Sequence, residues 1–360
     1  MIRGAHHHIR RKLILLWCLP LLAFSVEGVK TEQLLLIDLF YNGLKSGVAC
    51  YRIPALASAM DGSLIAAADE RIPSCADLGT NPNVNIVLRR STDGGNTWEA
   101  PKVVVDFEEG ISASDPSFIT DGQNGDVLLF YNYMDHVREK GVYRFQFIRS
   151  SDHGITWSKP IDFTDQIMRQ GWQKPFLFIT SGNGTQTKDG KLLHTLAHVG
   201  EKAAYVIISA DHGKSWKLID RPLVPGDESR VVELSDGQWM VNTRVNGAAK
   251  RYTHTSADAG NSWVTAPVDV LQDPGCNAGL VVSGARLYFS HLSTPKERKN
   301  LTLKWSDNLG KTWDGNLTIY EGSSAYSSLV PMAGGNLGLL FERDDYTKIT
   351  FVKIPSARLR

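Results

Sequence analysis

SSDHGITW, residues 150–157, is one of five near-copies of a single octapeptide. STDGGNTW begins at Ser91, SADHGKSW at Ser209, SADAGNSW at Ser256 and SDNLGKTW at Ser306. The copies start 59, 59, 47 and 50 residues apart, and a recurring interval of that size marks an array or a propeller. The shared pattern, Ser-x-Asp-x-Gly-x-Thr/Ser-Trp, has the chemistry of a hairpin turn. Its carboxylate can accept from nearby backbone N–H groups and hydroxyls, and its glycine can take a positive φ. Upstream of the boxes the apolar residues alternate, as in Val84, Ile86 and Leu88, in Tyr143, Phe145 and Phe147, and in Leu301, Leu303 and Trp305. Period two is the mark of a strand. Each repeat is therefore predicted to be a β-meander whose outer turn is stapled by the Asp and whose Trp is buried between neighbouring sheets. The fifth copy carries Asn308 in place of the Asp. An amide bonds locally without charge, so that turn is expected to be the weaker staple.

Roughly 330 residues divided by a period of about 55 give six units, within the range for four-stranded sheets that close on themselves. Gly, Pro, Asp and Asn recur throughout, and no long apolar stripe of period 3.6 interrupts them. The fold class expected is all-β, a six-bladed β-propeller of four-stranded antiparallel sheets over residues 33–358. A formal net charge of +1 gives no reason to expect a nucleic-acid partner.

At the N-terminus, Arg3, Arg10, Arg11 and Lys12 precede an apolar run from Leu13 to Phe24, followed by small residues around Ser25. This is the layout of a secretory signal peptide over residues 1–25. The run is too short to span a bilayer comfortably. The mature chain is thus expected to be secreted or periplasmic, or lumenal in a eukaryote, with no membrane span. Cys50, Cys75 and Cys276 remain after its removal. Three is odd, so at least one thiol is free and no disulfide framework can be inferred. Asn183, Asn300 and Asn316 head glycosylation sequons.

A repeated scaffold does not say what is done on it, so the unrepeated segments matter more. GVACYRIPAL, residues 47–56, sets Arg52 among aliphatics just before a proline. Such an arginine is either paired structurally or waiting for an anion. Tyr51-Arg52-Ile53-Pro54 followed by the Asp boxes resembles the sialidase family, and the resemblance runs from about residue 47 to residue 353.

The resemblance implies a site. Family members hold the carboxylate of a terminal sialic acid with three arginines, for which guanidinium suits because it stays charged and donates in a planar pair. Arg52 matches the first and Arg244, closing VVELSDGQWMVNTR, the second. Arg298, in Arg-x-Asn-x-Thr before the last box, matches the third, with Arg251, Lys296 and Lys299 as nearby competitors. Glu342 in LLFERDDY stands where the acid orienting the first arginine is expected. Tyr326 in SSAYSSL resembles the nucleophile; a neutral phenol avoids the repulsion a carboxylate would meet at an anomeric carbon that already bears one. Its unperturbed pKa near 10 calls for a base, and Glu228 in GDESRVVEL matches it, with Glu233 as the rival. In DERIPSCADLGTNPN, Asp77 takes the place of the general acid, and Arg71 would line the pocket near the sugar's 4-hydroxyl. Asp115 in SASDPSF resembles a further pocket acid. The glycine-rich ITSGNGTQT, residues 179–187, looks like a family loop near the glycerol side chain.

What the resemblance implies is an exo-α-sialidase acting on sialylated glycoproteins, glycolipids and oligosaccharides, with no metal and no organic cofactor. Transfer to another sugar, or release of an anhydro product, would use the same pocket. A sialic-acid-binding lectin would keep the arginines and lose Tyr326, Glu228 or Asp77, yet all three are present.

Overall fold

The residues described in the computed structural model are 1, 2, 4, 33–172 and 176–359. The signal peptide expected over residues 1–25 lies outside them except at positions 1, 2 and 4. No described helix is long and apolar enough to cross a membrane. Leu34–Arg360 forms a single unit.

The alternating residues before the boxes do form strands. Val84, Ile86 and Leu88 lie in Asn83–Ser91, Phe145 and Phe147 in Arg144–Ser150, and Leu301, Leu303 and Trp305 in Lys299–Ser306. Each of these strands ends at the serine of a box, and the box turn follows. In the third copy the Ser209 hydroxyl donates to Asp211 Oδ1 (2.8 Å), which also accepts from Ser215 N–H (2.9 Å), while Ser215 Oγ donates to Oδ2 (2.6 Å). Gly213 N–H closes the loop on Ser209 Oγ (2.8 Å). The same set of bonds recurs around Asp93, Asp152 and Asp258. Hydroxyl and N–H donors from Thr97, Thr156 and Ser262 hold those three carboxyls down at about 2. A depressed acid favours the folded state above the ordinary Asp pKa of about 3.9, and that contribution is lost as pH falls towards 2. In the fifth copy Asn308 Oδ1 keeps the bonds from Ser306 and Thr312 N–H, and Nδ2 donates to Thr312 Oγ1 (3.0 Å). The geometry survives without the charge.

The box glycine is required twice over. Gly95, Gly154 and Gly213 have φ of 87, 86 and 75°. A Cβ on them would lie 2.3 Å from Phe351, 2.4 Å from Ile65 and 2.6 Å from Leu128, each on a neighbouring sheet. The tryptophans are less uniform than expected. Trp216 and Trp313 are buried, whereas Trp98, Trp157 and Trp263 are only half-buried, packing against cores at the sheet edges. From the box bonds we predict that Asp211→Ala lowers stability by about 1–2 kcal/mol and leaves the function of the folded protein unchanged. Thermal melting and a functional assay on one preparation check this; an equally stable but non-functional variant would contradict the scaffold assignment.

The strands build small antiparallel sheets arranged as in a propeller. Cys50–Ser58, Leu64–Ile72, Asn83–Ser91 and Lys102–Val105 form one four-stranded meander; Ser229–Glu233, Trp239–Thr243, Lys250–Ser256 and Val264–Gln272 form another. Two sheets have five strands. In one of them Gly182–Asn183 crosses over to pair in parallel with Ile111–Thr120. The blade count departs from the expected six separate sheets, because the described strands form five. Gly315–Pro331, 17 residues long, pairs with Lys299–Ser306 on one side and Leu337–Arg343 on the other, so two meanders merge into a seven-stranded sheet. Leu36–Tyr41, the first of the described strands, pairs with Lys348–Ile354, the last.

Apolar cores lie between successive sheets. Ala55, Ile65 and Ala67 of the first meander meet Phe118, Leu129 and Tyr131 of the next. Leu56, Leu64 and Val87 on the opposite face of that meander meet Phe40, Leu340 and Phe351. Strands from near the start and the end of Leu34–Arg360 therefore share one core. Inner strands are buried on both faces, as the pattern of Leu64–Ile72 shows, while the outer strand Val264–Gln272 is largely exposed. Of the sequon residues, Asn316 is exposed, whereas Asn183 is tied to the Leu56 carbonyl (2.6 Å) and to the Ser328 hydroxyl.

Candidate active site

Inner strands of different sheets end at a common mouth, and there they shed their regular pairing. The ladder shifts register between Arg52 and Ala55, between Ser114 and Ser117, and between Ser324 and Ser327. Such bulges re-aim side chains and free N–H groups. Ile53 and Asp115, each followed by a proline, sit at φ of 60 and 61°, a region that costs a residue with a Cβ free energy. Buried carboxylates take up the freed donors. Ile53 N–H donates to Glu342 Oε1 (2.9 Å), Asp115 N–H to Asp69 Oδ1 (2.9 Å) and Tyr326 N–H to Glu342 Oε2 (3.1 Å).

The result is a cavity of about 500 Å³ lined by Arg52, Asp77, Asp115, Glu228, Arg244, Arg298 and Tyr326. Glu342 is fully buried behind it and accepts from Arg52 Nε at 2.7 Å. Burial alone would lower the Arg52 pKa, but the Glu342 charge outweighs that and holds the guanidinium protonated. Arg298 reaches the same cavity from another sheet, donating to the Gly275 carbonyl and the Tyr346 hydroxyl (3.2 Å each). The Tyr346 ring also stacks under the Arg52 guanidinium, 4.2 Å from centroid to carbon. One tyrosine therefore spaces two of the arginines.

Between the arginines stand Tyr326 and Glu228. The Tyr326 hydroxyl donates to Glu228 Oε2 at 2.9 Å. Arg244 Nη1 donates to the same carboxylate oxygen and lies 3.3 Å from the Tyr326 oxygen. Burial pushes the phenol well above its ordinary pKa, the Glu228 charge adds to this, and Arg244 pulls the other way. In the free protein the proton thus rests on Tyr326, facing the Glu228 carboxylate. The other edge of Arg244 is fixed by Asn246 (2.8 Å), which is held in turn by Asp227 (2.7 Å).

Asp77 is 86% exposed at the rim and accepts from Arg71 Nη1 at 2.7 Å. Asp69 and Glu70 of the same segment are buried on other partners, Asp69 on Arg71 and Ser114, Glu70 on Lys45. Arg71 is 1% exposed and clamped between Asp69 and the cavity-lining Asp77. Asp115 lines the cavity too; burial, and then the neighbouring Asp69 charge, raise its carboxyl well above the usual range.

The rivals separate cleanly. Glu233 accepts from Lys188 N–H (2.6 Å) and lines a different cavity of about 350 Å³ at the far ends of the same strands. Asn183–Gln186, from the glycine-rich segment, line that second cavity too, not the first. Arg251 is buried on Asn242 (2.8 Å) and the Cys276 carbonyl (2.6 Å), Lys296 is exposed, and Lys299 pairs with Glu297. The sequence reading missed Tyr346, Asn246 and an aromatic wall of Tyr143, Phe176 and Phe178. Tyr346 follows Glu342 by four residues, but the left-handed turn over Asp344, Asp345 and Tyr346 that carries it inward leaves no sequence signal in residues so rarely found there.

A sialidase of Micromonospora viridifaciens is 32% identical to the chain over 349 residues, covering 88% of the chain and 52% of that protein. One of Bacteroides fragilis is 29% identical, covering 82% and 60%. The chain thus spans between about half and three fifths of the length of these curated relatives. Among solved structures, the Hadza microbial sialidase Hz136 superposes with a TM-score of 0.78 at 28% identity, over 85% of this chain and 66% of that one. The BNR repeat-like domain matches residues 62–339, well over half of the sequence, and the chain belongs to that family.

Proposed function

We propose that the protein is a retaining exo-α-sialidase that releases terminal, α-ketosidically linked sialic acids from glycoproteins, glycolipids and oligosaccharides. The observation that supports this reading is the Tyr326–Glu228 hydrogen bond of 2.9 Å set among three arginines, one within Cys50–Ser58, one just after Trp239–Thr243 and one just before Lys299–Ser306. Arg52, Arg244 and Arg298 receive the substrate carboxylate. Glu228 takes the phenolic proton as the Tyr326 oxygen attacks the anomeric carbon, so no second anion has to approach that carboxylate. Asp77 protonates the departing glycosidic oxygen, then takes a proton from the water that resolves the glycosyl-tyrosine. Asp115 sits within the pocket as a polar contact for the sugar. In the same reading the seven-stranded sheet is two blades sharing Gly315–Pro331, which makes six, and residues 1–25 are a signal peptide that sends the chain out of the cytoplasm. The similarity to sialidases supports the substrate class.

The test is product analysis on a mixture of 2,3- and 2,6-sialyllactose. Free sialic acid and lactose are expected in equal amounts. Accumulation of an anhydro sugar, or of sialic acid on a new acceptor, would overturn hydrolysis. Tight binding without product would make the protein a lectin.

A further inference from the structure

The sequence permitted no disulfide pairing to be inferred, but Cys50 and Cys75 are bridged, their Cα atoms 5.7 Å apart. Cys50 is two residues before Arg52 and lies opposite Arg71 in the antiparallel ladder. Cys75 is two residues before Asp77, in the irregular stretch between Leu64–Ile72 and Asn83–Ser91. Arg71 Nη1 donates both to the Cys75 carbonyl (2.9 Å) and to Asp77 Oδ1 (2.7 Å). The bridge and the guanidinium therefore hold the same few residues, one through Cys75 itself, the other through its carbonyl and Asp77.

Within the loop, Thr80 and Asn81 N–H donate to the Asp77 carbonyl (2.9 and 3.1 Å) and Asn81 Nδ2 to the Ser74 carbonyl (2.7 Å), with Leu78 and Asn81 buried. Pro73, Ser74, Cys75 and Asp77 are exposed. An ion pair with so exposed a carboxylate is worth little, so Arg71 alone is a weak hold on Asp77. The backbone bonds hold the loop to itself, whereas the bridge ties it covalently to the strand that carries Arg52.

We propose that the Cys50–Cys75 disulfide is a positioning element of the active site, fixing the Asp77 loop relative to Arg52 so that the acid stands over the glycosidic oxygen. This rests on the reading of Asp77 as general acid. Its consequence is an enzyme whose action on poor leaving groups depends on the redox state of an exposed sulfur.

The experiment compares kcat/KM on sialyllactose with kcat/KM on an aryl sialoside, whose phenolate leaves without protonation. Folded wild-type enzyme is treated with dithiothreitol, which gives up two electrons and two protons and closes to its own cyclic disulfide as Cys50 and Cys75 become thiols. The ratio of the two kcat/KM values should fall about 10- to 100-fold, the scale of a small misplacement of a catalytic group, and should recover on reoxidation. Cys75→Ser should show the lowered ratio and no response to dithiothreitol. Asp77→Asn is measured alongside. If Asp77→Asn lowers the ratio and reduction does not, the tie is refuted and the acid assignment stands. If Asp77→Asn leaves the ratio unchanged, the assignment fails and the tie with it. Loss of the fold at assay temperature on reduction would also overturn the proposal, since the bridge would then hold the fold and not the loop.

Discussion

Tyr326→Phe lowers kcat by at least about 10³-fold, because it removes the only nucleophile the account supplies, while a sialic-acid-like inhibitor binds within a few-fold of wild type. The two halves of this expectation come from separate parts of the site. The phenolic oxygen makes the 2.9 Å bond to Glu228 and the 3.3 Å contact with Arg244; removing it deletes both and nothing else. Glu228 keeps its ion pair with Arg244, so no buried charge is orphaned. The Tyr326 N–H stays on Glu342, and Arg52 and Arg298 keep their own supports in Glu342, Tyr346 and the Gly275 carbonyl. Stopped assays for turnover and calorimetry for the inhibitor separate the effects. Turnover within tenfold of wild type would remove Tyr326 from the chemistry.

Asp77→Asn should cost about 10² to 10⁴ in kcat/KM on sialyllactose, the usual worth of general acid help, and little on an aryl sialoside. The side chain is almost wholly in solvent, and Arg71 retains its buried partner Asp69 at 2.9 Å, so the fold is not at stake. Leaving-group dependence is what distinguishes a proton donor from a residue that merely shapes the pocket. Equal losses on both substrates would assign Asp77 to shape.

What could be read from the sequence and what could not divides along physical lines. Strands and box turns were legible because their chemistry is local: Ser209, Asp211, Gly213 and Ser215 bond to one another within seven residues. The merging of two meanders through Gly315–Pro331 was not, since nothing local to that strand says that both of its halves are paired. Arg52, Arg244 and Arg298 lie far apart in the chain, and only a family resemblance singled them out of the 39 Lys and Arg residues. The partners of Arg71, Asp69 and Asp77, were likewise not legible, because a motif fixes a residue's place on a strand but not which carboxylates it meets. Tyr346 depends on three successive residues at positive φ, a conformation that sequence disfavours and tertiary contacts impose. The Cys50–Cys75 bridge was hidden for the same reason as the arginines, since three cysteines in sequence carry no pairing.

The central claim, a glycosyl-tyrosine formed on Tyr326 and resolved by water, is tested most directly by the anomer released first. Attack by Tyr326 inverts the anomeric carbon and attack by water inverts it again, so two displacements give net retention. Proton NMR in the first minutes of turnover on an α-sialoside resolves the ring H3 signals of the two anomers. α-Sialic acid is expected to appear first, with the β-anomer growing in later by mutarotation. β-Sialic acid as the first product would mean that water attacked directly, and would contradict the account.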